Sequence, residues 1–292
     1  MTPAWWILGV LGVWWWLRGV YARRDERAFA AAYQRDTSGI ISGAQPIHLS
    51  GTRPGAVLLL HGYNDSPQSM ATMAGALHAG GWTVSVPLLP GHGRSLKDWA
   101  AARAPDWERA ARAALDELRV THADVAVGGL SMGGALAFIL AAEQPDVRAV
   151  VGFAPYLHAS IPIEILRLLA PIAAFGARYL PGGGSRSVHD PVASASMIAY
   201  RRSTPRLLLE LEKIVRRARA SLPLVRQPVL VIQSREDNRI PVSSAAEAFA
   251  LIASHDKTLH WTTGNGHVVT VDYGHEALEK LVAAWLDTRL AN

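Results

Sequence analysis

The sequence predicts an α/β fold in which a doubly wound, mostly parallel sheet is interrupted by a helical insertion. Short, continuous apolar segments recur along the chain, and such segments suit parallel strands that are buried on both faces. Helical segments separate them, as they do in successive βαβ units. Between residues 157 and 226 this alternation stops, and the chain shows apolar helices, glycines and prolines but no convincing strand.

The predicted elements follow one another in chain order. The predicted strands are residues 45–50, 55–60, 82–86, 125–130, 149–153, 229–232 and 258–262. The predicted helices outside the insertion are residues 68–79, 107–120, 132–143 and 276–290. In the insertion, Thr204 and Pro205 predict the N-cap and first residue of a helix with a leucine stripe. The α/β core is therefore predicted at 45–156 and 227–292, and the helical insertion at 157–226.

Composition favours one large packed core. Of the 292 residues, 50% are hydrophobic and only 18% are charged, which argues against extensive disorder. The chain has no cysteine, so disulfides, thiolate metal sites and cysteine nucleophiles are excluded. The sequence as a whole implies no metal and no cofactor.

Positive charge is concentrated in the insertion. Residues 157–226 contain eleven Arg or Lys against four Asp or Glu, whereas the formal charge of the whole chain is +5. This pattern is compatible with a solvated helical face or with docking against anionic lipid headgroups. The chain contains no recognisable nucleic-acid-binding module, so nucleic acid is not an expected partner.

The N-terminus differs in composition from the rest of the chain. Residues 4–17 are apolar, and five of the ten tryptophans lie at the two ends of this stretch, as interfacial anchors do. We predict a membrane anchor at residues 1–22 and a helical linker at 23–44. Arginines follow the apolar stretch on its C-terminal side only, which predicts that the domain after it lies on the cytoplasmic side.

Two alternatives to a spanning anchor stay open. Fourteen helical residues cover only about 21 Å of a hydrocarbon core of about 30 Å, so a shallow interfacial helix is the first. The second is a cleaved signal peptide with an exported domain, although no basic residues precede the apolar stretch.

One serine has the surroundings of a nucleophile. Residues 129–133 read Gly-Leu-Ser-Met-Gly and lie between a predicted strand and a predicted helix, the context of the G-x-S-x-G nucleophile elbow. The turn is so tight that side chains two residues before and after Ser131 would collide, which explains Gly129 and Gly133. The following helix directs its N-terminal N–H groups and positive dipole end towards the same point.

A serine hydroxyl needs a base and an orienting acid to act as a nucleophile. After an elbow of this kind, the acid and the histidine follow in that order on loops that end later strands. Glu236 and Asp237 both follow the strand at 229–232, and we prefer Asp237 as the acid, with Glu236 as the second choice. His267 lies in a glycine loop after the last predicted strand and is the preferred base. His61 and His92 occur earlier, in glycine turns where hydrogen bonding within the loops is their expected role.

Two backbone donors are needed for the oxyanion of an acyl-transfer intermediate. The N–H of Met132, directly after the serine, is the first. The loop after the strand at 55–60 reads His61-Gly62-Tyr63. Since Gly62 allows that backbone to turn inward, Tyr63 N–H is the second candidate.

These motifs together resemble the α/β-hydrolase superfamily. The matching segments are His61–Tyr63, Pro87–Ser95, Gly129–Gly133, Ser234–Asp237 and Gly266–Val268. The greatest likeness is to bacterial monoacylglycerol lipases and related small carboxylesterases, over residues 45–290. This resemblance implies an α/β-hydrolase fold with a helical cap inserted after the sixth strand. It also implies oxyanion roles for the N–H groups of Tyr63 and Met132. The tryptophan-rich N-terminus lies outside the resemblance.

The function expected from these features is hydrolysis of carboxylic esters through an acyl-enzyme on Ser131. Apolar residues of the cap are expected to bind the acyl chain of a monoacylglycerol or medium-chain ester; these are Ile161, Ile165, Leu168 and Leu169. An aminopeptidase or amidase on the same scaffold would need carboxylates near the cap to bind a substrate ammonium, which the basic cap disfavours. A membrane-tethered receptor that binds a ligand without turnover is the remaining alternative. A dehalogenase is disfavoured because its nucleophile would be a carboxylate at position 131.

Overall fold

The computed structural model of the chain describes residues 5–158, 163–182 and 187–290. The strands are β1 (Ile47–Leu49), β2 (Gly55–Leu60), β3 (Thr83–Val86), β4 (Asp124–Leu130), β5 (Ala149–Phe153), β6 (Leu180–Pro181), β7 (Arg202–Ser203), β8 (Val229–Ser234) and β9 (Lys257–Thr262). The helices are α1 (Trp5–Ala32), α2 (Ala71–Ala79), α3 (Leu96–Ala101), α4 (Ala104–Arg119), α5 (Met132–Glu143), α6 (Ile163–Gly176), α7 (Pro191–Ser196), α8 (Pro205–Ser221), α9 (Val242–Leu251) and α10 (His275–Leu290). Short 3-10 helices lie at Pro67–Met70 and Leu222–Leu224.

The main sheet has the order β1-β3-β2-β4-β5-β8-β9 within the described residues. Its strands are parallel except β1, which pairs antiparallel with β3. The strands β2, β5 and β8 are buried along their whole length because helices cover both faces of the sheet. On one face α4, α5 and α8 contribute to the core, and on the other α2 and α10 do. The predicted doubly wound α/β fold is confirmed.

The strand order brings three loops together at one edge of the sheet. From β2 the chain moves outward to β3, and β4 then returns to pair with β2 on its other side. At such a reversal the loops after neighbouring parallel strands diverge and leave a crevice at their carboxyl ends. The loops that follow β2, β4 and β8 all emerge at this edge, and they contain Tyr63, Ser131 and Asp237.

The insertion lies between β5 and β8 and differs from its prediction in two details. It contains two short strands, β6 and β7, which pair antiparallel, although the sequence showed no strand there. Two-residue strands bury too few side chains to leave a pattern. Five strands, β1 to β5, precede the insertion in the described chain, so the insertion follows the fifth strand and not the sixth.

The N-terminal segment forms one uninterrupted helix, α1, which crosses the predicted boundary between residues 22 and 23. Its apolar part ends at Leu17, and Arg18 follows within the same helix. Across the described ranges, no helix is both long enough and apolar enough to cross a membrane. The prediction of a spanning anchor is therefore not supported.

Candidate active site

Ser131 lies at the apex of the turn between β4 and α5. Its φ angle is +55°, a positive value that residues other than glycine rarely adopt. A Cβ on Gly129 would lie 2.3 Å from the carbonyl carbon of Gly133, and one on Gly133 would lie 2.0 Å from the carbonyl oxygen of Leu60. The turn therefore excludes side chains at both positions, as the G-x-S-x-G pattern predicts. Ser131 N donates to Phe153 O at 2.9 Å, which fixes this strained residue to the neighbouring strand.

His267 and Asp237 form a close pair. The distance between His267 Nδ1 and Asp237 Oδ2 is 2.8 Å, and the Asp237 side chain is fully buried. Asp237 Oδ1 accepts from the N–H groups of Arg239 and Ile240 at 2.7 and 2.9 Å. Gln233 Nε2 donates to Oδ2 at 2.7 Å. With this set of donors, the carboxylate acts as acceptor and the imidazole Nδ1 carries the proton.

The surroundings of Asp237 favour its ionised form. Burial alone would raise the pKa of this carboxyl group, since it removes the charge from water. The hydrogen bond and charge of His267, together with the two backbone N–H groups, outweigh that effect and lower the pKa below its ordinary value. The Asp237 carboxylate is thus suited to hold the imidazole in one tautomer.

Glu236, the second candidate for the acid, is directed elsewhere. Its side chain is half exposed, and its Oε1 accepts from the backbone N–H of Gly264 at 2.7 Å. Of the two adjacent carboxylates, Asp237 is the one in contact with His267.

Ser131, His267 and Tyr63 line one cavity of about 480 Å³. This volume lies within the range of small-molecule sites, about 300–1,000 Å³. Among the described residues, no hydrogen bond joins Ser131 Oγ to His267. Catalytic hydrogen bonds are often long or poorly aligned before substrate binds. Ser131 and His267 nevertheless line the same cavity.

The two predicted oxyanion donors come from different segments, Met132 from the start of α5 and Tyr63 from the loop after β2. Met132 is the first residue of α5, so its N–H is one of the helix-terminal donors without a partner in the helix. Tyr63 follows Gly62 in the loop after β2. Its phenolic oxygen is 2.7 Å from Ser203 Oγ in the insertion, and its carbonyl oxygen is 2.7 Å from His92 Nε2. The loop is therefore tied both to the core and to the insertion.

Two buried histidines stabilise this loop. His61 Nε2 accepts from Leu89 N at 3.1 Å, and its Nδ1 is 3.0 Å from Gly62 O. His92 donates from Nε2 to Tyr63 O. Burial lowers the pKa of His92 to about 4 and that of His61 far below its ordinary value. Both are therefore neutral in the folded protein, and the predicted role of hydrogen bonding within loops is confirmed for both.

Asp65 is a cavity residue that the sequence interpretation missed. It lines the same cavity as Ser131 and is almost completely buried. Burial raises its pKa to about 6, although Ser69, Ser66 and Gly62 donate hydrogen bonds to it and the charge of His267 acts in the opposite direction. An acidic residue two positions after the proposed oxyanion donor was the available signal, but it resembled an ordinary loop residue.

Three of the four predicted acyl-binding residues are absent from the described lining of this cavity. Ile165, Leu168 and Leu169 are exposed on α6, because that helix turns this face away from the cavity. Ile161 lies outside the described residues. The apolar residues that line the cavity in the described part of the chain include Leu130, Leu180, Val188, Met197, Leu208, Leu211 and Val268.

Among the residues with described positions, no group of three or more potential ligands is placed to hold a metal ion. The chemical groups of the site are thus a serine in a nucleophile elbow, a histidine paired with a buried carboxylate, and a loop of backbone donors. On a parallel α/β sheet, at the carboxyl ends of its strands, these features define an α/β hydrolase.

Comparisons with known proteins agree with this class. Residues 51–273 match the family model described as Hydrolase_4, serine aminopeptidase S33. The thermostable monoacylglycerol lipase of Bacillus sp. (strain H-257) is 30% identical over 80% of this chain and 90% of its own length. A carboxylesterase of Bacillus subtilis (strain 168) is 23% identical over 80% of this chain and 92% of its own. The chain therefore belongs to the serine aminopeptidase S33 family of the α/β-hydrolase superfamily.

Solved structures show the same fold. One from a study of LipS and LipT, two metagenome-derived lipolytic enzymes, superimposes with a TM-score of 0.78 at 32% identity. The superposition covers 86% of this chain and 100% of the solved chain. The monoacylglycerol lipase of Paleococcus ferrophilus superimposes with a TM-score of 0.72 at 20% identity, over 83% of this chain and 98% of that one.

Proposed function

We propose that this protein hydrolyses carboxylic esters through an acyl-enzyme in which Ser131 is the nucleophile. The observation that supports this most strongly is the hydrogen bond of 2.8 Å between His267 and the buried Asp237. Both the histidine and the elbow serine line one cavity. The lipase and esterase relatives named above support the same class of reaction.

In the proposed first step, His267 Nε2 takes the proton of Ser131 as Oγ attacks the ester carbonyl carbon. Asp237 stabilises the imidazolium that forms. His267 then gives its proton to the leaving alcohol, and the acyl group remains on Ser131.

The second half of the cycle repeats these roles with water. His267 takes a proton from a water molecule, the resulting hydroxide attacks the acyl-enzyme, and Ser131 regains its proton as the acid leaves. In both halves the N–H groups of Tyr63 and Met132 hold the negative oxygen of the tetrahedral intermediate. Each such donor is worth about 10²–10³-fold in rate in hydrolases of this type.

The proposed substrate is a monoacylglycerol or another medium-chain ester. Side chains of Leu180, Met197, Leu208 and Leu211 give part of the cavity an apolar lining, which suits an acyl chain. The relative in Bacillus sp. (strain H-257) is described as a monoacylglycerol lipase.

The family description also names an aminopeptidase, and this alternative makes a different demand on the cavity. A substrate ammonium needs carboxylates to bind it. Among the described residues, the cavity is lined by Arg201, Arg202 and Arg239 and by one acid, the buried Asp65. This balance of charge disfavours a cationic substrate and favours an ester over an aminoacyl amide.

The test compares Ser131→Ala with Ser194→Ala, which removes another hydroxyl from the cavity lining. Both variants and the parent are assayed on p-nitrophenyl esters of increasing chain length, on monoacylglycerols and on aminoacyl amides. We expect Ser131→Ala to lose about 10⁴- to 10⁶-fold in kcat and Ser194→Ala to keep most of the ester activity. Wild-type ester turnover by Ser131→Ala would refute the mechanism. Ligand-induced stabilisation of the parent without any turnover would instead favour a receptor.

A further inference from the structure

The first half of α1 exposes apolar side chains in almost every direction. All side chains described before Trp14 are exposed, and Trp15, Trp16 and Leu17 are exposed after it. A helix that is apolar all round is normally buried in a core or in lipid. Here most of it contacts no other part of the described chain.

One face alone attaches α1 to the body of the protein. The ring of Trp14 stacks on Phe175 of α6 with 3.9 Å between ring centres, and Arg18 Nε donates to Ala174 O at 3.1 Å. Ala22 and Phe29 are buried further along the same helix. Trp14, Arg18 and Ala22 are spaced four residues apart, so they share a face. The opposite face contacts nothing in the described part of the chain.

The exposed apolar surface continues from α1 onto α6. We define the N-terminal apolar surface as the exposed apolar side chains of these two helices: Trp6, Leu8, Val10, Leu11, Val13, Trp15, Trp16, Leu17, Tyr21, Ile165, Leu168, Leu169, Ile172 and Phe175. Soluble monomers rarely expose a contiguous apolar area beyond a few hundred Å². A surface of this extent indicates that something else covers it.

Charge on the same two helices indicates what covers it. Arg23, Arg24 and Arg27 are exposed on α1, and Arg167 is exposed on α6. None of these four side chains is paired with a carboxylate among the described residues. The acids of α1 do have partners within the protein.

Those acids face the body rather than solvent. Asp25 contacts Arg202 at 3.2 Å, and Glu26 accepts from Tyr179 Oη at 2.8 Å. The unpaired charge next to the apolar surface is therefore positive. Tryptophan and arginine beside exposed aliphatic side chains are the composition of helices that lie in a membrane interface and bind anionic headgroups.

We propose that α1 and α6 together dock the protein in the plane of an anionic phospholipid surface, with the apolar side chains among the acyl chains and the arginines at the phosphates. The helix α1 lies outside residues 51–273, which match the family, whereas α6 lies within them. After α6 the chain reaches Leu180 within four residues, and Leu180 lines the cavity. Docking would thus place one wall of the cavity beside the lipid.

Vesicle flotation of the full chain tests the proposal. The probes are vesicles of phosphatidylcholine alone and vesicles of equimolar phosphatidylcholine and phosphatidylglycerol. We expect the protein to float with the anionic vesicles and to bind the neutral ones much more weakly. The combined variant Trp6→Ser, Trp15→Ser and Trp16→Ser should lower the partition coefficient by about two orders of magnitude. Val120→Ser with Leu224→Ser and Tyr273→Ser, which removes exposed apolar groups elsewhere, should have little effect.

The charge contribution has its own matched pair. Arg23→Gln with Arg24→Gln should weaken binding to anionic vesicles by about 30-fold, since each basic residue near such a surface contributes about 1 kcal/mol. The control is Arg103→Gln with Arg226→Gln, which removes two exposed arginines outside α1 and α6. It should bind as the parent does.

Three results would overturn the proposal. The first is that the parent binds neither kind of vesicle, and the second is that the tryptophan variant binds as the parent does. The third is that the protein forms a dimer in light scattering, that the tryptophan variant abolishes this dimer, and that vesicles are not bound. The last result would assign the surface to a second copy of the chain. Hydrolysis of a soluble p-nitrophenyl ester by every variant at the parent rate shows that the fold is intact. Because flotation does not depend on turnover, its outcome is independent of the proposed hydrolase function.

Discussion

The two long helices of the insertion, α6 and α8, have opposite relationships to the core. Leu207, Ile214 and Ala218 of α8 are completely buried against the α/β core, whereas Leu168 and Ile172 of α6 are about two-thirds exposed. The difference follows from how charged and apolar residues are distributed along each helix. Charged residues alternate with the apolar stripe of α8, so only one face can be buried. The apolar residues of α6 include no such stripe, and its sequence alone does not show what it packs against.

The largest expected difference is between two truncations to alanine, one on each helix. Ile214→Ala should lower the free energy of unfolding by about 2–5 kcal/mol, because it leaves a cavity in a closed core. Leu168→Ala should change it by no more than about 0.5 kcal/mol, the usual limit for exposed positions. Urea denaturation of both variants measures these values. Equal losses would mean that α6 is buried in the same way as α8.

Asp65, which lines the cavity, is buried, in contrast to the exposed residues of α6. Burial raises the pKa of its carboxyl group from 3.8 to about 6, so the folded protein retains this proton to a higher pH than the unfolded chain. Stability therefore falls as the pH rises from about 4 to 6. Asp65→Asn removes this dependence, and its advantage over the parent should grow across that interval by up to about 3 kcal/mol. Denaturation curves at several pH values measure the effect; a constant difference would contradict the burial of the charge.

A smaller effect is expected from two glutamates, again one on each helix. Glu210 of α8 accepts from Ala104 N, at the start of α4, at 3.0 Å, and its side chain is 5% exposed. Glu210→Ala leaves that buried N–H without a partner and should cost about 1–3 kcal/mol. Glu164 of α6 is 71% exposed and pairs with Arg216, so Glu164→Ala should cost less than about 1 kcal/mol. Thermal denaturation at fixed pH compares them, and a larger loss for Glu164 would reverse the assignment.

The parts of the fold and site that sequence reasoning predicted are those fixed by local sterics. Gly129 and Gly133 are required by contacts within one turn, so the elbow at Ser131 could be recognised from five residues. Continuous apolar strands imply burial on both faces, and β2 and β5 begin and end at the predicted residues.

What sequence reasoning missed depends on direction in space. Glu236 and Asp237 are adjacent, and only the course of the backbone decides which one contacts His267. The apolar residues of α6 looked like a pocket wall because their composition is suitable, but the helix turns them away from the cavity. Asp65 has no local pattern that distinguishes it from a loop residue exposed to water.

The contacts of the N-terminal segment with residues 199–202 have a practical consequence for protein engineering. Asp25 pairs with Arg202, a residue of the cavity lining, and Tyr33 Oη donates to Ala199 O at 3.1 Å. Shortening the chain to the segment shared with its relatives would remove both contacts. Arg202 would then lack its carboxylate partner. A truncated protein chosen for ease of expression would thus differ from the full chain in the contacts of its cavity lining.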